Sequence, residues 1–369
     1  MQVVQQRLLD VQVEGHDHLK QAIADGHGIL ITPNHAGHAD PFTMYAVADE
    51  VATQFYFMAA WQVFQKASFL KRRVLQHHGV FSVDREGTDL RAFRQSTKIL
   101  QSHRNPLVIF PEGEVYHINE RVTPFREGPA AIAITAAKKA DRKVVCVPCA
   151  IRYHYVEDPT DALLAVMARL EQEIYWRPRG DLPLHQRIAR FAEGALALKE
   201  LEYLGSTRSG TLRDRIQSLT DAILTQIEKR HGLSSDGSTI PERIKSCRQQ
   251  AIKQLEKIED DEAKTREFHD NLDDLFVVVQ LFSYPGDYVA EHPKIERIAE
   301  TIDKFEEDFL DVATATIRGA RRAVVRIGEP IPVDPSAGRK AGAPVLTALL
   351  EERVQALINE SADTIHGKE

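Results

Sequence analysis

The chain has 369 residues, a formal net charge of −7 at pH 7, and hydrophobic and charged fractions of 43% and 27%. This composition is typical of a folded protein with one large domain or two ordinary ones, and the acidic balance argues against nucleic acid as a partner. No run approaches the roughly 20 apolar residues of a membrane-spanning helix, the first residues lack the apolar core of a signal peptide, and three cysteines make no disulfide framework. We therefore expect a cytoplasmic protein, with attachment to the inner face of a membrane left open.

The N-terminal part of the chain alternates strand and helix patterns. Short β-rich runs bounded by Gly or Pro predict strands in "GILITP", "GVFSVDR", "PLVIFP" and "KVVCVPCAI". Helical patterns lie between them, from Pro41 onward, over about 88–102 and over about 128–140. This alternation predicts an α/β layered domain up to about residue 157.

Residues 158–319 have a different character, with long charged helical patterns and few strand candidates. Apolar residues recur there at helical spacing and predict one buried helix face, formed by Ile244, Cys247, Ala251, Leu255 and Ile258. The most apolar stretch, 276–289, has three interpretations: protein core, which is the default for such a run, the lining of a channel for an apolar ligand, or a bilayer contact. We expect residues 158–319 to be a helical insertion.

Strand character returns in "RRAVVRIGEPIPVDP" at 321–335 and is followed by a helical pattern through "VLTALLEERVQALINE". One strand and one helix are too little for an independent domain. We therefore expect residues 320–369 to rejoin the N-terminal sheet, so that the first domain is discontinuous in sequence.

Cys146 and Cys149 form a Cys-x-x-Cys pattern, which is compatible with a redox pair or with half of a zinc site. Their surroundings predict a buried strand, in which an offset of three places the two side chains on opposite faces. No second pair exists to complete four zinc ligands, so a structural role is favoured.

The stretch "ITPNHAGHAD" carries the strongest candidate residues. Asn34 marks the exit of the predicted strand, and His35 is delivered to the sheet edge, where a neutral imidazole can take a proton from an attacking hydroxyl. Asp40 precedes Pro41 and is predicted to be a helix N-cap. Its carboxylate can also accept the imidazole N–H and stabilise the imidazolium. His38 lies within the spacer and is given no direct role.

A metal site is the alternative for the same stretch. His35, His38 and Asp40 are ligand types that suit zinc or iron. No further cluster with recognisable ligand spacing follows in the sequence. A metal-dependent hydrolase is therefore the less favoured hypothesis.

Two further stretches carry candidate binding residues. Glu112 and Gly113 in "IFPEGEVYH" are predicted to form a tight turn that presents a carboxylate and backbone N–H groups. Arg85 follows the strand of "GVFSVDREG", where a guanidinium can bind a phosphate through two hydrogen bonds. Taken singly, each pattern also fits an ordinary turn acid or a solvated surface arginine.

Together and in this order, these stretches resemble the glycerolipid acyltransferase family, which includes the lysophosphatidate (1-acylglycerol-3-phosphate) acyltransferases. Four blocks carry the resemblance: NHxxxxD at 34–40, a second block at 79–85, FPEG at 110–113, and a valine–proline–aliphatic block at 147–151. The segments "FREGPAAIA" and "VRIGEPIPV" are also similar to parts of that family. The resemblance covers about 11–155 and 322–360 and leaves the helical middle unmatched.

The expected fold is thus a glycerolipid-acyltransferase-like α/β domain, with a mixed sheet flanked by helices, interrupted by a largely α-helical insertion. Its expected boundaries are an acyltransferase core with the motif blocks at 1–157, the insertion at 158–319, and a closing strand and helix at 320–369. The resemblance implies acyl transfer from acyl-CoA or acyl carrier protein to a lysophospholipid or glycerol-3-phosphate-type hydroxyl, as in phospholipid biosynthesis. It implies no cofactor or metal. It also implies His35 as general base with Asp40 as its partner, and places at the acceptor Asn34, Arg85, Glu112 and Gly113.

Two departures from the family pattern concern the acceptor. After FPEG the family usually has Thr or Ser and then Arg, whereas this chain has Glu114 and Val115. Arg121 and Arg126 are the candidate replacements for the lost phosphate contact. Many members carry a lysine in the segment resembled by 58–64, but here none precedes Lys66. A non-catalytic binding protein with the same fold is therefore a second alternative.

Overall fold

A computed structural model of the protein describes residues 6–65, 67–84, 89–234, 238–255, 262–310 and 312–365. The chain forms two compact units, Met1–Pro159 with Thr316–Glu369, and Thr160–Ala315. The inserted domain with boundaries after residues 157 and 319 stays a prediction. Among the described residues, no helix is long and apolar enough to cross a membrane.

The first unit is built on a mixed sheet. Its strands within the described ranges are β1 (Leu8–Glu14), β2 (Gly28–Pro33), β3 (Tyr56–Ala60), β4 (Val80–Val83), β5 (Leu107–Val108), β6 (Val144–Tyr155), β7 (Arg321–Ile327) and β8 (Ile331–Pro332). Their order is β1-β7-β6-β2-β5-β3-β4, and β8 also pairs with β6. β7 and β8 run antiparallel to β6, whereas the other neighbouring pairs are parallel. The predicted α/β fold with a mixed sheet is confirmed.

Helices cover both faces of this sheet. They are α1 (His16–Ala24), α2 (Asp40–Glu50), α3 (Trp61–Gln65), α4 (Phe69–His77), α5 (Leu90–Ser102), α6 (Gly128–Ala137) and, after the second unit, α14 (Arg339–Ile365). Apolar residues of α1 and α2 pack with Ile29 and Ile31 of β2 in one core. Residues of α5, α6 and α14 pack with Leu30 in the other. Because successive residues of a strand face opposite sides, one uninterrupted apolar run serves both cores.

The two cysteines of the Cys-x-x-Cys pattern lie on opposite faces of β6, as predicted. Cys146 belongs to the core under α5, α6 and α14, and Cys149 to the core under α1 and α2. Burial raises the pKa of the Cys146 thiol to about 12 and that of Cys149 further. Because both thiols are neutral and lie on opposite faces of the strand, the two cysteines serve as core side chains.

The second unit is helical in its described residues. Its helices are α7 (Thr160–Glu173), α8 (Leu184–Leu204), α9 (Leu212–His231), α10 (Ile240–Leu255), α11 (Glu262–Phe282), α12 (Tyr288–Glu291) and α13 (Ile295–Phe309). Ile244, Cys247 and Ala251 are buried in its core, as the helical spacing predicts. The side chain of Leu255 and all of Ile258 lie outside the described residues.

The apolar stretch 276–289 begins inside α11. Val278 is buried in the core of the second unit, and Val277, Val279 and Leu281 pack against that core. Phe276 is exposed. Most of this helical segment therefore serves as core, the default interpretation of its composition.

Candidate active site

The candidate residues meet at one edge of the sheet. β2, β5, β3 and β4 run parallel to one another and to β6, so their carboxyl ends point the same way. His35 follows the end of β2 by two residues, and Glu112 follows the end of β5 by four. In open α/β sheets this edge is where ligands bind.

Asn34 continues the sheet where β2 ends. Its Nδ2 donates to the carbonyl of Ile151 at 3.0 Å, and the Ile151 N–H donates to its Oδ1 at 2.7 Å. Asn119 binds Tyr153 in the same way, with both bonds at 2.8 Å. These side-chain amides satisfy the backbone N–H and carbonyl groups of β6 past the point where its pairing with β2 ends. Asn34 thereby fixes the direction in which the chain leaves β2. A contact of Asn34 with substrate stays a prediction.

His35 and Asp40 form a hydrogen-bonded pair. Nδ1 of His35 lies 2.7 Å from Oδ2 of Asp40, which also accepts the Gly37 N–H at 3.0 Å. The other oxygen, Oδ1, accepts the hydroxyl of Tyr153 at 2.7 Å. Because a carboxylate only accepts, the neutral imidazole carries its proton on Nδ1, and Nε2 is the basic atom.

The predicted N-cap role of Asp40 is wrong by one residue. Helix α2 begins at Asp40 itself, its N-cap is Ala39, and no side chain caps it. The Asp40 carboxylate is fully buried and turns back to the Gly37 N–H, the His35 ring and Tyr153. The N–H groups of Phe42 and Thr43 donate instead to the carbonyl of Ala39.

The imidazole of His35 is held flat against an aromatic ring. It stacks on Phe110 with ring centroids 4.3 Å apart and an interplanar angle of 22°. Its side chain keeps 17% exposure, whereas Asp40 has none. A ring fixed by stacking and by one hydrogen bond, yet still reachable, has the form of a positioned base.

Glu112 lies in a turn, as predicted, but it is not the ordinary exposed turn acid that its pattern also fits. It is buried, its Oε1 accepts the backbone N–H of His35 at 2.7 Å, and its Oε2 accepts the N–H and hydroxyl of Thr123. Burial raises its pKa to about 7, against the lowering effect of these hydrogen bonds. Glu112 therefore ties the FPEG turn to the loop of His35, and its predicted substrate contact stays a prediction.

Gly113 makes room for Arg126. Its φ is +81°, and a Cβ at this position would lie 2.5 Å from Nε of Arg126. The guanidinium hydrogen-bonds Tyr116, and its Nη2 lies 4.0 Å from Oε1 of Glu114. The Arg126 side chain is one-third exposed, and its buried Nε has no hydrogen-bond partner within the described residues. The structure thus places the cation of Arg126 beside the FPEG turn.

The remaining predicted residues have different outcomes. Arg121 is half-buried in the loop that joins β5 and α6. Arg85, like Lys66, lies outside the described residues. His38 packs its ring edge-on against His117, with centroids 5.4 Å apart. Among the described residues, donor atoms of His35, His38 and Asp40 do not form a three-ligand group, so the metal hypothesis built on them lacks its geometry.

Tyr153 and Thr123 are the site residues that the sequence analysis missed. Both act through tertiary contacts, since Tyr153 is 113 positions from Asp40 and Thr123 is 11 from Glu112. Neither lies in a motif block. Tyr153 does lie two residues after Ile151, on the strand of the fourth block, and that is the one sequence signal pointing to it.

Residues 10–152 match the family model described as Acyltransferase. These residues belong to the acyltransferase family. The match includes His35, Asp40, Glu112 and Gly113 and confirms the family predicted from the sequence blocks. No curated protein matches the chain. The acyltransferase domain therefore holds the hydrogen-bonded histidine–aspartate pair at the carboxyl edge of its sheet.

Proposed function

We propose that the protein is a cytoplasmic O-acyltransferase of phospholipid biosynthesis. It moves a fatty acyl group from acyl-CoA or acyl carrier protein to a hydroxyl of a lysophospholipid or glycerol-3-phosphate-type acceptor. The observation that carries the proposal is the 2.7 Å contact between Nδ1 of His35 and Oδ2 of Asp40, which leaves Nε2 as the basic atom of a partly exposed side chain. The match to the acyltransferase family supports the same chemistry.

The proposed reaction is a general-base acyl transfer. The acceptor oxygen attacks the thioester carbonyl carbon while Nε2 of His35 takes its proton. The tetrahedral intermediate then collapses, the carbon–sulfur bond breaks, and the leaving thiolate takes the proton back from His35. Asp40 stays ionised and stabilises the transient imidazolium. No cofactor or metal takes part in this scheme.

Glu112 is a positioning residue in this proposal. Its carboxylate binds the backbone N–H of His35 and both donors of Thr123, so it acts on the base through the main chain. Asn34 fixes the same loop from the other side, through Ile151. The base is thereby held between two strand ends, and such preorganisation raises the rate of the chemical step.

Arg126 is the proposed contact for an anionic acceptor group. Its guanidinium lies over Gly113, one residue beyond Glu112, and is partly accessible. Glu114 at 4.0 Å offsets part of its charge. A phosphate that binds here competes with Glu114, so this chain differs from the family pattern, in which Thr or Ser and then Arg follow FPEG. Arg121 and Arg85 are secondary candidates for the same role.

The deciding experiment measures thiol release and acyl-acceptor formation by the purified protein, using a panel of lysophospholipids and glycerol derivatives with acyl-CoA and acyl carrier protein donors. We expect His35→Ala to lower turnover by roughly a hundred- to ten-thousand-fold, the usual worth of a general base. His38→Ala is the matched control and should keep wild-type turnover. Full activity in His35→Ala would refute the assignment.

The same pair of variants separates the alternatives. A metal-dependent hydrolase built on His35 and His38 predicts equal losses in both variants and inhibition by chelators. A non-catalytic binding protein predicts no turnover in the wild type with any donor–acceptor pair. Acyl transfer that depends on His35 and not on His38 excludes both.

A further inference from the structure

One segment of the acyltransferase domain departs from the acidic character of the chain. Residues 51–83 contain four Lys or Arg residues and no Asp or Glu, whereas the whole chain has a net charge of −7. Three of these cations are consecutive, at Lys71, Arg72 and Arg73 in helix α4. The segment therefore presents a local positive charge that the overall balance conceals.

The same segment exposes apolar side chains. In α4, Phe69 and Leu70 are each 73% exposed, and Val74 is 45% exposed. In the preceding helix α3, Trp61 and Val63 are 40% and 45% exposed. Isolated exposed apolar residues need no explanation, but five on two adjoining short helices form a patch.

Hydrogen bonds of Arg72 connect the two helices that carry this patch. Its Nε donates to the carbonyls of Phe64 and Ala67 at 2.7 and 3.0 Å, and its Nη2 donates to the carbonyl of Gln65 at 3.2 Å. These bonds join the start of α4 to the end of α3. The side chain of Arg73 lies over the Phe69 ring at 5.1 Å, which brings a cation next to an exposed aromatic.

The patch lies on the same edge of the sheet as the candidate active site. Trp61 follows β3 directly, Glu112 follows β5, and His35 follows β2. β3 runs parallel to β5, and β5 runs parallel to β2. The carboxyl ends of these three strands therefore point in the same direction. A surface bound by α3 and α4 would meet the protein on the side of His35.

We propose that α3 and α4 bind the surface of an anionic lipid bilayer. Phe69 and Leu70 enter the interfacial region, while Lys71 and Arg73 contact lipid phosphates, the arrangement that interfacial amphipathic segments use. A bilayer fits this surface because exposed apolar side chains precede and follow the cations, and residues 51–83 contain no Asp or Glu. The inference extends the proposed function, since the bilayer would supply the lipid acceptor, and it requires none of the catalytic residues.

Vesicle sedimentation of the full-length protein tests this interface. We expect the wild type to bind vesicles of phosphatidylcholine with about one-third phosphatidylglycerol, and to bind pure phosphatidylcholine at least about tenfold more weakly. The double variants Phe69→Ser/Leu70→Ser and Lys71→Glu/Arg73→Glu should each lose more than about tenfold in affinity for anionic vesicles.

Matched controls change the same chemistry elsewhere in the first unit. Leu9→Ser replaces another exposed leucine, on β1, and Lys138→Glu/Lys139→Glu reverses two exposed lysines after α6. Both controls should bind vesicles as the wild type does. Equal binding by the patch variants would overturn the proposal, as would a dimer that the Phe69→Ser/Leu70→Ser change dissociates while vesicle binding stays unchanged.

The test also separates this inference from the proposed function. His35→Ala should bind vesicles normally, and the two patch variants should keep wild-type turnover of a water-soluble short-chain donor and acceptor. Activity retained by His35→Ala would refute the catalytic assignment and leave the vesicle result standing. Loss of soluble turnover in a patch variant would count against the bilayer interface, because it would tie these residues to the catalytic site.

Discussion

The hydroxyl of Tyr153 donates a 2.7 Å hydrogen bond to Oδ1 of Asp40, and both side chains are buried. Burial and the neighbouring carboxylate raise the pKa of Tyr153 well above its usual value, so the phenol remains a donor. The bond occupies one oxygen of Asp40 and leaves the other to His35 and Gly37. The pair of His35 and Asp40 is thus part of a longer series of hydrogen bonds that ends near the C-terminal end of β6.

Tyr153→Phe should lower the stability of the protein. The buried carboxylate loses a donor, which lowers the free energy of unfolding by about 1–3 kcal/mol. Urea unfolding of the variant and the wild type measures this loss. Tyr175→Phe, at an exposed site, is the control and should leave the free energy of unfolding unchanged. A Tyr153→Phe protein as stable as the wild type would contradict the prediction.

Glu112 should make stability depend on pH. Its folded-state pKa is raised from 4.5 to about 7 by burial, so the fold favours the neutral acid. The stabilising contribution is complete below about pH 4.5 and is lost as the pH rises through about 7. Relative to Glu112→Gln, the wild type should lose roughly 3 kcal/mol across this window.

Chemical unfolding of the wild type and Glu112→Gln at several pH values measures this difference. Glu351→Gln is the control, since Glu351 also accepts a backbone N–H, that of Phe125, at 2.8 Å. A stability difference that stays constant between pH 4.5 and 7 would show that Glu112 does not titrate there.

Asn34→Ala should destabilise the protein through β6. The substitution leaves the N–H and carbonyl of Ile151 without their side-chain partners in a buried position, and we expect a loss of about 2–4 kcal/mol in the free energy of unfolding. Asn105→Ala removes an exposed amide that donates to Gln54 at 2.8 Å, and should cost less than about 1 kcal/mol. Equal losses in the two variants would refute the role of Asn34 as the hydrogen-bond partner of the Ile151 backbone.

Gly113→Ala should weaken binding of an anionic acceptor. The added Cβ collides with Nε of Arg126 at a backbone φ of +81°, so the guanidinium must move. We expect KM for a phosphate-bearing acceptor to rise roughly tenfold, as it should in Arg126→Gln, with little change for an uncharged acceptor. Gly128→Ala, where an added Cβ meets no atom within 4 Å, is the control. Unchanged KM in both Gly113→Ala and Arg126→Gln would remove Arg126 from the acceptor site.

The sequence predicts the central strands because their signals are local, but its predicted strands do not include β1 or β3. Gly28 and Pro33 bound the apolar run of β2, and the long apolar run of β6 requires cover on both faces. Strand character at 321–327, isolated from other strands, correctly predicts that this segment rejoins the sheet, where β7 lies between β1 and β6. The strand predicted in "PLVIFP" shortens to Leu107–Val108, because the chain then turns toward Glu112.

The site is less predictable because its residues act through burial. An acid after Pro111 has the pattern of an exposed turn, and only the fold shows that Glu112 is enclosed and bound to Thr123. Asp40 has the pattern of a helix cap, but the position of Tyr153 gives its carboxylate a different set of donors. Spacing within a motif cannot supply partners that lie on another strand.

The position of β7 between β1 and β6 has a consequence for how the protein is made. β1 pairs with β7, about 300 residues later in the chain, and Tyr153 lies opposite Ala323 of the same strand. On a ribosome, β1 therefore waits without its partner until the roughly 300 residues between the two strands have been synthesised, and contacts this distant form late in folding. The strand that carries Tyr153 is also flanked on one side only until then. The proposed acyl transfer should therefore begin only after β7 has been synthesised and has joined the sheet.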